Sequence, residues 1–355
     1  MYISKDINSG VNIMATMKEI AKLAGVSRGT VDRVLNNRGS VNQDTEKTIR
    51  EIAKSLNYSP NIAGKNLAVR KKKLKFGFIL FGTVDSNFFF ADVVCGIKER
   101  AAALSDFGVT VEIRESRFYD PQEQVKTIEE LVDLGINGLA ITPINHPDVA
   151  KKLRELSEKG IPVVTSNSDI PDCGRLAYVG SNYHKSGETA AGLMNLITGG
   201  KAKVGIISGS PLVLCHIERV AGFTEIIESN FPNLKIISKA VNNDDDDESF
   251  AVTREMLNNH PEIDALYLTA AGVGGACSAV IEKGLAGKLS IVSFDATAST
   301  CKLVREGVIA ATIAQQPGLQ GSMPLDILLN YLCMGTLPEK ELNYTEIEIK
   351  IKESL

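Results

Sequence analysis

The sequence contains no tryptophan, and its six cysteines are scattered without a Cys-x-x-Cys pair. This pattern indicates neither a disulfide framework nor a cysteine zinc cluster, and it is typical of a protein from a reducing cytoplasm. Charged residues interrupt every apolar run that approaches the length of a membrane span, and the first 17 residues lack the apolar core of a signal peptide. We therefore expect a cytoplasmic protein with no membrane partner.

Histidine is also scarce, and none of the four histidines shows His-x-x-x-His spacing. Catalytic and metal-binding roles have little support, and helix caps and surface positions account for these residues better. An acidic run, Asp244–Glu248, lacks the glycine and the spacing of a calcium loop. We expect a solvated loop there, with a place on the rim of a cleft as the alternative. No enzyme activity, no metal and no cofactor are expected.

Charge is distributed unevenly along a chain whose overall composition is ordinary. The 355 residues, 44% hydrophobic and 23% charged, fit a folded protein of two or three domains. Residues 1–75 hold 15 of the 39 Lys and Arg but only 6 of the 43 Asp and Glu, whereas residues 76–355 hold 24 and 37. A basic N-terminal segment favours a polyanionic partner such as nucleic acid. Charge alone leaves a solubilising tail as the alternative.

Periodicity predicts three short helices in the basic segment. Apolar residues at helical spacing indicate a first helix over 18–24, with Leu23 on its packing face. A Gly-Val pair then makes a tight turn, Ser27 is positioned to cap a second helix over 27–35, and a third helix follows over 44–56. This order is a helix-turn-helix, whose second helix enters the DNA major groove.

The second helix carries side chains suited to that groove. Arg28 and Arg33 can hydrogen-bond guanine edges, while Ser27 and Thr30 can hold backbone phosphates. Asp32 lies on the same helix, and its carboxylate would repel phosphate. The pattern therefore predicts sequence-specific binding to double-stranded DNA.

Three stretches of this segment resemble the headpiece of the LacI family, the family of the lactose repressor: Lys18-Glu-Ile-Ala-Lys-Leu-Ala-Gly-Val-Ser27, Thr30-Val-Asp-Arg-Val-Leu-Asn36 and Ala53-Lys-Ser-Leu-Asn-Tyr-Ser-Pro-Asn61. Two positions depart from the family pattern, since Asp32 replaces a small polar residue and Gly64 replaces an alanine, which costs a helix about 1 kcal/mol. The resemblance implies DNA contacts from Ser27, Arg28, Thr30, Arg33, Asn36 and Leu67.

The resemblance also implies a hinge helix after the headpiece. Such a helix folds on DNA and would insert Leu67 between base steps of the minor groove. A flexible charged linker is the alternative, because the basic run Arg70–Lys73 follows. The predicted divisions are a headpiece over 14–60, a hinge helix and basic linker over 61–75, and a core over 76–355.

Beyond residue 75, short apolar runs alternate with helical periods, which predicts parallel sheets covered by helices. The predicted strands cover residues 76–81, 109–113, 138–142, 161–165, 203–208, 265–269, 289–294 and 310–314. So many strands exceed one comfortable sheet, so we expect two doubly wound lobes. The first lobe is predicted over 76–177 and 315–335, and the second over 178–314 and 336–355. The predicted fold is thus a small all-α headpiece plus a two-lobed α/β core.

Ligands of such sheets bind beyond the carboxyl ends of the strands, where this sequence places many polar residues. The core resembles the type I periplasmic sugar-binding fold, which the same family uses. Residue by residue, the resemblance implies effector contacts from Ser86, Phe88, Phe89, Asn167, Arg219, Asp295 and Gln315. Taken singly, each of these residues is better explained by a position in a surface loop or at a helix cap than by a ligand contact.

Two stretches of the core depart from that pattern. Thr269-Ala-Ala-Gly272 replaces the usual Asn-Asp, and Asn167-Ser168 replaces an Asp-Arg pair of pentose binders. A pocket less acidic than a standard hexose or pentose site is expected. Gly272-Val-Gly274-Gly275 imitates a dinucleotide-binding loop, but its sixth position is Cys277 rather than glycine.

The sequence as a whole predicts a homodimeric, ligand-responsive transcription factor. A carbohydrate bound between the lobes would change the affinity of the headpieces for operator DNA, and repression is the default that the resemblance implies. Two alternatives remain: a regulator with a vestigial cleft and a protein partner, and a small-molecule enzyme with an accessory nucleic-acid domain.

Overall fold

The computed structural model describes residues 16–35, 41–56, 73–81, 88–116 and 119–355. Three predicted contact residues, Asn36, Leu67 and Ser86, lie outside the described residues, as does most of the predicted hinge. The chain divides into two compact units, one containing the N-terminal helices and the other containing Leu74–Leu328 and Pro338–Leu355. Within the described ranges, no helix combines the length and apolarity needed to cross a membrane.

The first unit contains three helices with well-defined caps: α1 (Met17–Ala24), α2 (Arg28–Leu35) and α3 (Gln43–Ser55). Thr16 and Glu19 form a capping box at the start of α1, and Gly25 ends that helix with a φ of 65°. The Ser27 hydroxyl oxygen accepts the Thr30 N–H at 3.1 Å, so the predicted cap of α2 is confirmed. Asn42 caps α3 through the Asp44 N–H.

The three helices share one small apolar core. Its fully buried members are Ile20 from α1, Val31 from α2 and Ile49 from α3. Leu23 is 62% exposed, so its predicted place on the packing face is wrong. The buried face of α1 is centred on Ile20, Ala21 and their partly buried neighbours, and Leu23 lies more than a quarter turn away from that centre.

The second unit alternates strands with helices along the chain. Its strands are β1 (Lys75–Phe81), β2 (Thr110–Ser116), β3 (Gly138–Ile141), β4 (Val163–Ser166), β5 (Ala177–Gly180), β6 (Ala202–Ser208), β7 (Leu234–Val241), β8 (Ala265–Leu268), β9 (Ser290–Phe294), β10 (Ala311–Ala314), β11 (Leu342–Tyr344) and β12 (Glu348–Lys350). Its helices are α4 (Phe88–Ser105), α5 (Pro121–Asp133), α6 (Pro147–Glu158), α7 (Tyr183–Ile197), α8 (Leu214–Asn230), α9 (Asp246–Asn259), α10 (Val273–Glu282), α11 (Ala298–Arg305) and α12 (Pro317–Met334). A short 3-10 helix covers Lys352–Ser354.

These strands form two six-stranded sheets, one in each lobe. The first sheet has the order β11-β5-β4-β3-β1-β2, and the second has the order β12-β10-β9-β8-β6-β7. Every pairing is parallel except that of β10 with β12. Because all carboxyl ends of the parallel strands in one sheet lie at the same edge, the loops that follow them gather there.

Successive side chains of a strand pack against helices on opposite faces of the sheet, so both faces are covered. On β8, Ala265 and Tyr267 pack with residues of α7 and α8, whereas Leu266 and Leu268 pack with residues of α9 and α10. A strand buried on both faces reads as a continuous apolar run, as the sequence shows here.

The predicted boundary between the lobes is wrong at two places. β5 pairs with β4 in the first sheet, so the first lobe extends past residue 177 and the chain crosses to the second lobe after Gly180. β11 also joins the first sheet by pairing with β5, although residues 336–355 were all expected in the second lobe. Only β12, from that segment, adds to the second sheet. The completion of an open sheet edge accounts for both corrections.

The chain crosses between the lobes three times, and the crossing segments are hydrogen-bonded to one another. The hydroxyl groups of Ser181 and Thr345 lie 2.9 Å apart, and the Thr345 N–H donates to the Gly180 carbonyl at 2.9 Å. The Glu346 N–H donates to the side-chain oxygen of Gln316 at 3.1 Å. The hinge between the lobes therefore consists of three crossing segments that are hydrogen-bonded to one another.

Candidate functional site

The loops at the carboxyl ends of the two sheets enclose a cavity of about 400 Å³, including the solvent at its mouth. Its lining residues are Phe81, Phe89, Phe90, Tyr119, Asn167, Val213, Cys215, His216, Arg219, Asp244, Ala271, Asp295 and Gln315. Five of the seven predicted effector contacts are among them. Phe88 lies outside this cavity and is 58% exposed, and Ser86 is outside the described residues.

Arg219 is the principal cation of the cavity and is held from three sides. Its side chain is 2% exposed, and its Nη1 donates to the Thr269 carbonyl at 2.6 Å. The guanidinium lies over the ring of Phe294, 3.8 Å from the centroid, and 4.8 Å from that of Tyr183. Its Nε has no hydrogen-bond partner. Arg219 lines the cavity, and a buried guanidinium with an unused donor is suited to a ligand oxygen.

Close helix packing sets the position of Arg219. A Cβ at Gly187 of α7 would collide with the Arg219 carbonyl, and a Cβ at Gly222 of α8 would collide with the His184 carbonyl. The two glycines therefore let α7 and α8 approach backbone to backbone, which brings the Arg219 side chain to the cleft.

Acceptor groups lie across the cavity from this cation. Asp295 follows β9 with a φ of 65°, and its Oδ1 accepts a hydrogen bond of 2.6 Å from Gln315 Nε2. The other amide atom of Gln315, Oε1, is buried without a partner. Burial raises the pKa of Asp295 above its ordinary value, although Arg219 and the hydrogen bond from Gln315 oppose that change.

Asn167 is held in a strained backbone conformation with a φ of 62°. Its Nδ2 donates to the Tyr183 hydroxyl and to the side-chain oxygen of Gln320, both at 3.1 Å. Non-glycine residues with positive φ concentrate at binding sites, and Asn167 and Asp295 both follow this rule here.

Three further side chains line the cavity, and none of them was predicted as a ligand contact: Tyr119, His216 and Asp244. His216 Nε2 lies 3.3 Å from Asp244 Oδ2, and the Tyr119 hydroxyl donates to the same carboxylate oxygen. The Ala271 N–H donates to Asp244 Oδ1 at 3.1 Å. His216 is buried, so the expectation of a cap or surface role for this histidine is wrong. The Asp244 side chain is 12% exposed and lines the cleft, as in the alternative expected for the acidic run, rather than lying in a solvated loop.

The environment of this cluster favours a protonated imidazole beside an ionised carboxyl group. Burial alone would lower the pKa of His216, but the Cys215 sulfur and the Asp244 carboxylate raise it to about 10. Burial would likewise raise the pKa of Asp244, but His216 and the Tyr119 hydroxyl hold it below its ordinary value. Burial, then the nearby Asp244, raises the pKa of Tyr119. The cluster is thus an ion pair that also accepts a hydrogen bond from the Tyr119 hydroxyl.

Several hydrogen bonds span the cleft between the lobes. Tyr119 belongs to the first lobe and Asp244 to the second, and Asn167 and Tyr183 are likewise on opposite lobes. A backbone bond of 2.8 Å joins the Asn145 N–H to the Leu212 carbonyl. Contacts in the cleft can therefore influence the arrangement of the lobes.

The predicted DNA-contacting residues lie in and beside α2. Arg28 and Arg33 are exposed, while Val31 and Val34 of the same helix are buried. The hydroxyls of Ser27 and Thr30 lie 2.9 Å apart and are hydrogen-bonded to each other. The helix therefore exposes both arginines to solvent while Val31 and Val34 pack in the core.

Two other predicted roles can be compared with the structure. His146 caps α6 by accepting the Asp148 N–H, which confirms the expected cap at that position. Among the residues that the structure describes, no group of three His, Cys, Asp or Glu side chains has the arrangement of a metal site.

Family models match both units of the chain. A model of the periplasmic binding protein domain matches residues 76–336, and one of bacterial regulatory proteins of the lacI family matches residues 16–61.

Similar full-length relatives and solved structures point the same way. The probable HTH-type transcriptional repressor ExuR of Bacillus subtilis (strain 168) is 28% identical over 289 residues, which cover 79% of this chain and 82% of that protein. The ribose operon repressor of Halalkalibacterium halodurans is also 28% identical over 289 residues, covering 79% and 80%. GanP, a glucose-galactose binding protein from Geobacillus stearothermophilus, superposes with a TM-score of 0.73 at 25% identity, covering 79% of this chain and 98% of GanP. These relatives are named as repressors and a sugar-binding protein.

Proposed function

This chain belongs to the periplasmic binding protein domain family and carries a lacI-family domain at its N-terminus, and on that premise we propose that it is a DNA-binding transcriptional regulator controlled by a sugar. The matches confirm the family resemblance and the fold expected from the sequence. The observation that carries the proposal is the polar cavity between two hinged lobes, in the same chain as a helix-turn-helix with outward-facing arginines.

The chemistry of the cavity is suited to a carbohydrate. Arg219 has an unused donor, Gln315 has an unused acceptor, and Asp295 lies beside them. A sugar hydroxyl both donates and accepts, so neighbouring hydroxyls satisfy such a set. Phe89 supplies an apolar surface for the hydrophobic face of a sugar ring.

Regulation follows from the lobe arrangement. A ligand that binds both walls of the cleft stabilises the lobe arrangement in which those walls are close, and it does so by its difference in affinity between arrangements. Coupling of this kind usually changes the affinity of a second site by about 1–3 kcal/mol. Repression relieved by the sugar is the form that we propose.

The DNA complex is proposed to contain a homodimer in the cytoplasm. Two headpieces would occupy half-sites about one helical turn apart, so the operator would be nearly palindromic. Arg28 and Arg33 would read guanine edges in the major groove, with Ser27 and Thr30 on the phosphates.

A binding experiment on the full chain tests both halves of the proposal. DNA selected from a random library would be measured by fluorescence anisotropy, and a panel of pentoses, hexoses, sugar acids and polyols would be screened by dye-based thermal shift. Arg33→Ala is expected to weaken binding to the selected DNA by about 1–3 kcal/mol. Lys151→Ala, an exposed lysine on α6 of the core, is the matched control and should leave DNA affinity unchanged.

For the cleft, one sugar class should raise stability by about 2.7 kcal/mol at a hundredfold excess over its Kd and should change DNA affinity. The proposal is refuted if no DNA sequence is enriched. It is also refuted if no sugar stabilises the chain, a result that would favour a protein partner for the core.

A further inference from the structure

A second compartment lies beside the ligand cavity. This outer compartment measures about 570 Å³ with the solvent at its mouth, compared with about 400 Å³ for the inner one. Phe89, Ala271 and Asp295 line both, so the two compartments are adjacent. A single sugar ring bound to Arg219 and Gln315 in the inner compartment would leave the outer one to solvent, since neither of these residues lines it.

Small residues lie at the boundary between the compartments. Ala270, Ala271 and Gly272 follow β8 and line the outer compartment, and Ala271 lines the inner one as well. The backbone of Ala271 is fixed on both sides, because its N–H donates to Asp244 Oδ1 at 3.1 Å and its carbonyl accepts from Asn242 Nδ2 at 2.7 Å. With the backbone held, a longer side chain at residue 271 would have to occupy the space where the compartments meet.

The outer compartment has the surface chemistry of a carbohydrate subsite. The Phe88 ring at its edge is 58% exposed. Thr297 and Ser299 supply hydroxyl groups, and the carboxylate of Asp246, whose Oδ1 accepts the Gly275 N–H at 2.8 Å, supplies acceptors. A ring that is apolar on one face and carries hydroxyls at its edge matches an aromatic surface bordered by such groups.

Charge restricts the occupant further. Two carboxylates, Asp246 and Asp295, line the outer compartment, and no Lys, Arg or His is found among the described residues that line it. A carboxylate or phosphate on the outer part of the ligand would face these acids without a cation to pair with. The occupant of this compartment therefore carries no acidic group.

We propose that the effector is a glycoside of two rings, with one sugar in the inner compartment and a second sugar without an acidic group against Phe88 in the outer one. This inference rests on the proposed function, because it specifies the sugar that the cleft recognises. It assigns specificity to Phe88, Ala271 and Asp246, whereas Arg219, Asp295 and Gln315 hold the inner ring.

Isothermal titration of the full chain with matched sugar pairs tests this inference. The probes are galactose with melibiose and lactose, glucose with cellobiose and maltose, and xylose with xylobiose. One disaccharide is expected to bind at least about tenfold more tightly than either of its constituent monosaccharides, as an added aromatic contact provides. Phe88→Ala should remove that advantage while leaving monosaccharide affinity within about twofold. Leu196→Ala truncates another exposed apolar side chain, on α7 and 77% exposed, and should change neither affinity.

A second variant tests the boundary between the two compartments. Ala271→Asn is expected to weaken the disaccharide at least about tenfold more than the monosaccharide, because its side chain enters the space that links the rings. Equal affinities for disaccharide and monosaccharide, or binding of monosaccharide alone, would overturn the two-ring inference and leave the sugar-controlled regulator intact. A difference between disaccharide and monosaccharide affinity that persists in both Phe88→Ala and Ala271→Asn would also overturn it. Absence of binding by every sugar would overturn the proposed function together with this inference.

Discussion

Replacing Asp244 by asparagine removes the carboxylate that faces His216 while keeping a side chain of the same size. We expect this change to destabilise the core, because a buried imidazolium loses its ionic partner. The pKa of His216 rises from an ordinary 6.5 to about 10 in the folded chain. A group whose pKa is raised by folding contributes stability that is complete below its unfolded pKa and is lost as the pH rises through its folded pKa.

The size of the effect follows from that difference. At about 1.4 kcal/mol for each pH unit, the raised pKa of His216 contributes at most about 4 kcal/mol at pH 7 and little above pH 10. Cys215 and Asp244 share the contribution, so Asp244→Asn should cost about 2–4 kcal/mol at pH 7. The lowered pKa of Asp244 reports on the same ion pair. It predicts that the pair's contribution to stability begins to decline as the pH falls below the ordinary pKa of an aspartate and is lost as the pH falls through the lowered pKa.

Urea unfolding followed by circular dichroism, at pH 6, 7.5 and 9.5, measures the difference between the original chain and the variant. The difference in free energy of unfolding should shrink steadily as the pH rises. Asp247→Asn, an exposed residue of the same acidic run, is the control and should cost less than about 0.5 kcal/mol at every pH. A difference that stays constant from pH 6 to 9.5, or a variant as stable as the original chain, would refute the assignment of a charged His216.

Three further changes test other features. Gly96→Ala on α4 should cost about 1–3 kcal/mol of core stability, because its Cβ would collide with the backbone of α12. Gly192→Ala on α7 meets open space and should stabilise the core by up to about 1 kcal/mol. Equal urea midpoints for the two variants would contradict this. Ser27→Ala removes the cap of α2 and should cost the headpiece about 1 kcal/mol, seen as faster hydrogen exchange of the α2 amides; unchanged exchange would count against the cap. Gln315→Leu should weaken sugar binding about tenfold or more in calorimetry, and an affinity within twofold of the original would exclude its role.

The parts of the fold with strong local patterns were predictable. The helix-turn-helix follows from apolar spacing, a turn glycine and the cap at Ser27, all of which act over a few residues. Asp295 and Gln315 follow buried strands and Arg219 lies on α8. The family resemblance implied their roles, and they do meet at one cavity. Local pattern and tertiary structure agree at these positions.

The unexpected cleft residues share one topological cause. Tyr119 follows β2 and Asp244 follows β7, and these strands are the outer edges of the two sheets. β7 is mostly half-buried or exposed, and lysines interrupt its apolar residues, so periodicity did not predict it as a strand. Without β7, nothing placed Asp244 at a carboxyl end, and without Asp244 there was no reason to bury His216.

The three crossing segments between the lobes also affect the order in which the chain can fold during synthesis. Each sheet takes its last strand, β11 or β12, from residues 342–350, so neither lobe has a complete sheet until nearly the whole protein has left the ribosome. Both lobes then finish almost together, and the segments that complete them also complete the hinge. A nascent chain interrupted before residue 342 would thus have two open sheet edges and one missing crossing, whereas the N-terminal helices, whose contacts are local, can form long before.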